Sequence, residues 1–307
     1  MVRNSKILVA GGSGFIGSNL ISDLVSLENE VISISKNNIK MARKIKGAKY
    51  IYHDLCKPIN KDQFTSLKDI DYIINCSGYI NHNNFQNGGK EIFNQHLESV
   101  YLLTNLAIDL NVKTFVQIGS SDEYGKKQSP INESIREEPM SPYSLAKLAS
   151  THLLEQYNAK GILNSVILRP FLVFGENQSK DRFLPFLIDN CIKDREFKVT
   201  YGEQIRDYLY IKDFNRALIN TLDNEKAYGQ VFNIASGIPI SIKELIIYVN
   251  QIIGMGHPIF GGIDYREGES MNLYADINKA KKLLFWKPKF ELKKSLKKVI
   301  SWYRNNA

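Results

Sequence analysis

Short runs of apolar, β-branched residues alternate with longer segments of helical periodicity through the first half of the chain. The runs fall at residues 6–10, 30–35, 49–52, 71–76, 114–118 and 165–168. Each is nearly continuous in apolar character, the pattern of a strand covered on both faces. Such strands, separated by helical stretches like residues 18–27, predict an α/β fold with a doubly wound parallel sheet joined by right-handed crossovers. In that architecture ligands sit beyond the carboxyl ends of the strands. After Arg169-Pro170 the rhythm breaks. Residues 171–206 and 241 onward mix helices, turns and short strands, while 230–234 read as a strand returning to the main sheet. The expected organisation is a first domain at 1–170, with a return segment at about 208–240, and a smaller C-terminal lobe built mainly from 171–307. No repeat, low-complexity tract or linker separates them, so a cleft between packed lobes is expected.

Composition narrows the class. The 307 residues carry 40 Lys+Arg against 32 Asp+Glu, a formal charge of +8, with 43% hydrophobic residues. That excludes a collagen-like, low-complexity or disordered polar chain. Cys56, Cys76 and Cys191 are odd in number and widely spaced, without metal-ligand spacing, so reduced, mostly buried thiols and no metal site are expected. The N-terminus leads straight into a strand with no signal-like stretch, and no window approaches the ~20 apolar residues of a membrane span. A soluble, cytoplasmic protein is expected. The dense run of lysines between Lys279 and Lys298 is interleaved with apolar residues at helical spacing, which reads as the solvated face of C-terminal helices and not as a nucleic-acid stripe.

The strongest local signal is Gly11-Gly12-Ser13-Gly14-Phe15-Ile16-Gly17, directly after the first strand and opening the first helix. Gly11 permits a tight turn, Gly14 lets the backbone approach a pyrophosphate, and Gly17 lets helix and strand pack closely. The helix N-terminus then offers N–H groups to the anion. A dinucleotide is the ligand this arrangement suits. The end of the second strand, where a carboxylate often binds the adenosine ribose, holds Ser35-Lys36-Asn37. A hydroxyl, an ammonium and an amide there favour NADP(H), with NAD(H) possible. Asp54, followed by Leu55, is placed after the third strand to accept from the adenine amino group.

A second signal is Tyr143-Ser144-Leu145-Ala146-Lys147, opening a helix after Pro142. The i,i+4 spacing sets phenol and ammonium on one helix face, where the cation favours the ionised phenol and tunes it for proton transfer. Ser120-Ser121-Asp122-Glu123-Tyr124-Gly125 follows the fifth strand, so a serine hydroxyl is expected at the same carboxyl edge.

Together with Gln204-Ile205-Arg206-Asp207-Tyr208 and Phe232-Asn233-Ile234-Ala235-Ser236-Gly237, these motifs stand in the order seen in the extended short-chain dehydrogenases/reductases. The chain resembles that family, the NAD(P)-dependent nucleotide-sugar epimerases, dehydratases and reductases, over nearly its whole length. The resemblance implies a Rossmann-type NAD(P)-binding domain with a substrate-binding lobe. It implies Ser120, Tyr143 and Lys147 as the catalytic set, and Arg206 and Arg266 on the diphosphate of a nucleotide sugar. A homodimer through helices near 97–110 and 144–158 is implied as well. Two positions depart from the family pattern: Leu172 stands where a polar Asn is usual, and His96-Leu97 where Asn-Val is usual.

Within the family, the missing carboxylate after the second strand and the Gly-Ser-Ser-Asp-Glu-Tyr-Gly stretch are similar to the 4-keto-6-deoxyhexose reductases, such as GDP-4-dehydro-6-deoxymannose reductase. The expected reaction is reduction of the C4 ketone of a nucleotide-linked 4-keto-6-deoxyhexose. The alternative is an epimerase or 4,6-dehydratase with retained NAD. For dehydration, counting back from Tyr124 puts Asp122 at an acid/base position but Ser121 where a second carboxylate is needed; Ser121 is taken as a substrate contact, and Asp122 as a substrate contact, a general acid for an epimerisation or a polar loop residue. A non-catalytic NADP-binding protein is a further alternative, opposed by the joint presence of Ser120, Tyr143 and Lys147.

Overall fold

The computed structural model of the chain describes residues 2–60, 64–81, 83–266 and 268–306. Seven strands form the central sheet: β1 (Lys6–Ala10), β2 (Glu30–Ser35), β3 (Ala48–Tyr52), β4 (Tyr72–Asn75), β5 (Thr114–Ile118), β6 (Ser165–Pro170) and, later in the chain, β10 (Gln230–Ile234). Their order is β10-β6-β5-β4-β1-β2-β3, with every pair parallel. Residues 230–234 thus return to the main sheet beside β6.

Alternate residues of each strand feed two cores. Ile7 and Val9 pack with Leu20, Ile21 and Leu24 of helix α1 (Phe15–Ser26) and with Ala217 and Leu218 of α5 (Ile211–Thr221). Leu8 and Ala10 pack on the other face with Val100, Leu103 and Leu106 of α2 (Gly89–Asp109) and Leu154 of α3 (Pro142–Ala159). Helices on both faces of a parallel sheet are what continuous apolar strands require. Helix α1 starts at Phe15 and not near residue 18, because the Ser18 amide already donates to the Gly14 carbonyl at 3.0 Å.

The remaining strands are short and drawn from distant segments: β7 (Leu172–Phe174), β8 (Glu196–Val199), β9 (Ile205–Tyr210), β11 (Pro239–Ser241), β12 (His257–Phe260) and β13 (Asn272–Leu273). Strand β9 is the hub, pairing antiparallel with β11 and parallel with β7 and β13. Helices α4 (Phe183–Ile192), α6 (Ile242–Ile253), α7 (Asn278–Leu283) and α8 (Leu292–Asn305) complete this region. Its apolar residues Leu187, Leu245, Val249, Leu296 and Ile300 belong to the same continuous core as Ile7 and Val9. On α8 the apolar positions Leu296, Val299 and Ile300 are buried while Lys293, Lys294, Lys297 and Lys298 are exposed, as the lysine-rich pattern predicted. Among the described residues no helix is long and apolar enough to cross a membrane.

Candidate active site

Strand order reverses at β1, whose neighbours are β2 and β4, so the turns after β1 and β4 meet at the carboxyl edge. Their approach is close. A Cβ on Gly11, which has φ +76°, would lie 2.6 Å from the Ser77 Cα, and one on Gly17 would lie 2.4 Å from the Gly11 carbonyl oxygen. Helix α1 then begins from Gly14 with no side-chain cap and no acidic residue in its first turn. Its leading N–H groups and partial positive charge are therefore available to a phosphate group. This cradle fits a dinucleotide pyrophosphate, with Phe15 and Ile16 contributing main chain at the helix start.

The residues expected at the adenosine lie together at the ends of β2 and β3. Ser35 is buried, and its hydroxyl accepts from the Ser13 amide at 3.2 Å. Lys36 is exposed and pairs with Asp54 at 3.0 Å, so these two oppose each other across the ends of β2 and β3. That pairing raises the Lys36 ammonium and lowers the Asp54 carboxyl from their ordinary values. Asn37 is exposed beside them and Leu55 is buried.

The residues expected to handle protons gather beyond β5. Ser120 caps a short 3-10 turn, Ser121–Tyr124, in a capping box: its hydroxyl accepts from the Asp122 amide at 3.1 Å, and its own amide donates to Glu123 Oε1 at 2.7 Å. Ser141 caps α3 in the same way, with Pro142 in the first turn, and so aims Tyr143 at Ser120. Tyr143 is 4% exposed and is hydrogen-bonded to Ser120. Lys147, one turn along, is buried and donates to the Ile118 carbonyl at 2.8 Å, with its Nζ 5.9 Å from the centre of the Tyr143 ring.

One expectation needs correction. The phenol of Tyr143 is not tuned downward by Lys147; burial pushes it above its ordinary value, the Asp122 carboxylate adds to the rise, and the Ser120 hydrogen bond and the Arg182 guanidinium oppose it. Lys147 donates to the Ile118 carbonyl and is not among the groups that move the phenol, so burial decides the direction. In this state the site holds a protonated phenol. A bound, positively charged nicotinamide ring is the added charge that would favour its ionised form.

Lys147 is lowered to about 8 by burial, with the Glu123 charge pulling upward. Between about 8 and the model-compound range near 10.4 the unfolded chain binds more protons here than the folded one, so Lys147 adds stability as pH rises through that window and loses it as pH falls through about 8. The active cation is lost over the same interval. The expected result is that turnover declines above about pH 8 while the urea midpoint of the wild type gains on that of Lys147→Met. Profiles of rate and of urea denaturation across pH 7–10 check both slopes.

Three further features escaped the motif reading. Glu123, the second acidic residue of the loop, is fully buried and turned away from the site; Arg169 (Nε at 2.9 Å and Nη2 at 2.7 Å) and Thr151 (2.8 Å) donate to its Oε2. His96, at the position of one family departure, is buried with its ring edge-on to Tyr143 at 5.2 Å between centroids. Burial first and Lys147 second lower it to about 4, so it stands there as a neutral ring. Arg182, exposed at the start of α4, brings a guanidinium within electrostatic reach of the Tyr143 phenol. Only His96 carried a sequence signal, as a departure from the family pattern; the placement of all three depends on partners distant in the chain.

The substrate-side arginines differ. Arg206 is largely buried and ion-paired with Glu269, whereas Arg266 is exposed three residues before it. Asp207, the next residue of that motif, accepts from Ser236 and Gly237 and so ties β9 to the turn after β10. Leu172 is half-buried on β7. Among the described residues no cluster of three or more His, Cys, Asp or Glu side chains is arranged to hold a metal ion.

Residues 7–235 match the NAD dependent epimerase/dehydratase family, about three quarters of the chain. The chain belongs to the NAD dependent epimerase/dehydratase family. It is therefore similar in kind to NAD-dependent nucleotide-sugar enzymes. A Methanocaldococcus jannaschii protein described as "Putative UDP-glucose 4-epimerase" is 29% identical over 98% of this chain and 99% of its own length. Human dTDP-D-glucose 4,6-dehydratase is 24% identical over 98% of this chain and 90% of its own. The crystal structure of a Bacillus cereus UDP-glucuronic acid 4-epimerase, in complex with UDP-glucuronic acid and NAD, superposes with a TM-score of 0.87 at 26% identity, covering 98% of this chain and 100% of that one. These relatives are epimerases and 4,6-dehydratases, and a nearer likeness to 4-ketoreductases is not shown among them.

Proposed function

We propose that this family member is a nucleotide-sugar 4-epimerase acting on a UDP-linked sugar. When bound, a nicotinamide dinucleotide supplies reversible hydride acceptance. Tyr143 withdraws and later restores the proton on the C4 oxygen, Ser120 holds that oxygen, and Lys147 keeps a positive charge one helical turn away. Arg206 exchanges Glu269 for the substrate diphosphate, aided by Arg266. The observation that carries the reading is the placement of Glu123. Loss of water across C5 and C6 needs an adjoining acid and base, but Glu123 is engaged by Arg169, Thr151 and the Ser120 amide, and Ser121 bears no charge. Asp122 is the carboxylate that the loop leaves near the phenol.

A second reading, NADPH-dependent reduction of a 4-keto-6-deoxyhexose, is favoured by Ser35 in place of a ribose-binding carboxylate. One assay separates the two. Purified protein is incubated with UDP-glucose, UDP-N-acetylglucosamine and UDP-glucuronic acid without added cofactor, and the products are read by NMR. Inversion at C4 is the expected outcome; no inversion, with NADPH consumed against a nucleotide-linked 4-ketosugar, establishes the reductase instead. We assign the exposed Tyr101 and Ile108 of α2 and Leu145 of α3 to a homodimer contact.

A further inference from the structure

The net charge of the chain is concentrated at one end. Residues 277–307 hold ten cations, nine of them lysines, against the single carboxylate of Glu291, a surplus of nine in a protein whose whole surplus is eight. The other 276 residues carry thirty cations and thirty-one carboxylates, and so are close to neutral.

The fold lays this segment out as a ribbon along the outside of α5. The Asn224 and Asn220 side chains donate to the Leu283 and Leu284 carbonyls at 3.1 and 3.3 Å, Arg216 reaches the Lys287 carbonyl at 3.4 Å, and the Lys289 and Phe290 amides donate to Asp213 at 2.9 Å. These anchors, spaced along one side of one helix, fix the inner edge of the ribbon. Its lysines are left outside: Lys281, Lys282, Lys287 and Lys289 are exposed, as are the four lysines of α8. Among the described residues only Lys294 of these eight pairs with a carboxylate, Glu291 at 3.0 Å. Asp213, beneath the ribbon, is buried and already engaged, which leaves Asp223, Glu225 and Glu291 as the exposed acids along it.

Two aromatic rings interrupt the cationic surface. Phe285 is 78% exposed although its neighbours Leu284 and Trp286 are buried, and it stands just past the end of α7 at φ +48°, a left-handed position where glycine is usual. The turn thus throws an apolar ring into solvent, with the Lys226 ammonium 5.6 Å from its centre. Phe290 is exposed as well, with the Lys298 ammonium at 5.2 Å. Lys226 comes shortly before β10, and the end of α5 accepts from Thr114 at the start of β5, so Phe285 lies toward the amino edge of the sheet. The candidate active site lies at the carboxyl edge.

We propose that this ribbon docks the protein on an anionic membrane surface, Phe285 seated among the headgroups and the lysines against their phosphates, with the mouth of the site left open to solvent. Each lysine near such a surface adds its own attraction, and aromatic rings settle at the boundary between headgroups and acyl chains while the ammonium groups beside them stay in water. A protein partner fits less well, since protein interfaces are enriched in arginine and poor in lysine. The contact lies on the bilayer and does not cross it. It goes beyond the proposed reaction and does not depend on it.

Cosedimentation of the full chain with vesicles tests this. Vesicles of phosphatidylcholine mixed with phosphatidylglycerol are compared with phosphatidylcholine alone, at low and at high salt. Wild type is expected to pellet with the mixed vesicles, to be released by salt, and to leave the neutral ones unbound. Two fourfold variants lower the net charge equally: Lys281→Gln, Lys282→Gln, Lys287→Gln and Lys289→Gln on the ribbon, and Lys57→Gln, Lys68→Gln, Lys90→Gln and Lys160→Gln at exposed positions elsewhere. The ribbon variant is expected to partition at least about thirtyfold more weakly, since each lysine near the surface contributes about fivefold, while the other stays within about threefold of wild type. Phe285→Ser, which keeps every charge, is expected to weaken partitioning about fivefold. Failure of wild type to pellet with the mixed vesicles overturns the proposal, as does an equal loss in the two fourfold variants. Undiminished partitioning of Phe285→Ser overturns the seating of the ring. Tighter binding to duplex DNA than to the mixed vesicles at equal phosphate concentration makes the ribbon a nucleic-acid surface and overturns the membrane assignment.

Discussion

Tyr143→Phe is expected to lower turnover by about 10²–10⁴-fold, the range that a positioned proton-transfer group supplies, while cofactor affinity changes little. The phenol is the group bonded to Ser120 and crowded by Asp122, and removing its oxygen leaves the backbone cradle at Gly11 to Gly17 untouched. Because the ring is 4% exposed and meets His96 edge-on, phenylalanine fills the same space and the fold is retained. Steady-state kinetics on UDP-sugars, alongside calorimetric titration of the dinucleotide, checks both halves. A variant that turns over at the wild-type rate removes Tyr143 from the chemistry.

The second large effect concerns stability. Glu123 and Arg169 are an ion pair without solvent contact, and Arg169 also reaches Glu137 at 3.0 Å and stacks 4.5 Å above the Tyr124 ring. Truncating one member of such a pair strands the other, a penalty of about 3–5 kcal/mol. Arg169→Met and Glu123→Ala are each expected to cost that much in urea denaturation. The double replacement Glu123→Leu with Arg169→Met should cost less than the sum, since neither charge is then left alone. The comparison also bears on mechanism. A dehydratase base replaced by its amide loses chemistry with the fold intact, whereas Glu123→Gln is expected to lower the urea midpoint because Arg169 keeps its charge, loses its fully buried counter-ion and retains only the partly exposed Glu137.

Much of the sheet was legible in the sequence because strands covered on both faces have no polar alternation to confuse them. Even 230–234 read correctly as a returning strand, since Val231, Phe232 and Ile234 are buried in the assembled sheet. That Ser120, Tyr143 and Lys147 come together was likewise readable, because capping serines and a helix start fix where they point. Direction within the 3-10 turn was not. A motif places Asp122 and Glu123 side by side, but only the fold shows that one faces the phenol and the other Arg169. The same holds for β9, whose partners come from three separate stretches. The sign of the Tyr143 shift was misread because spacing reports the neighbouring cation and says nothing of desolvation.

The apolar interior passes without a break from Ile7 and Val9 into Leu245, Leu296 and Ile300. A seam of water-excluding contacts of that kind gives no plane along which the C-terminal region can swing as a rigid flap. Under the proposed function, the route to Tyr143 and Arg206 is then set by the peripheral segments carrying Arg182 and Glu269 and not by a moving lobe.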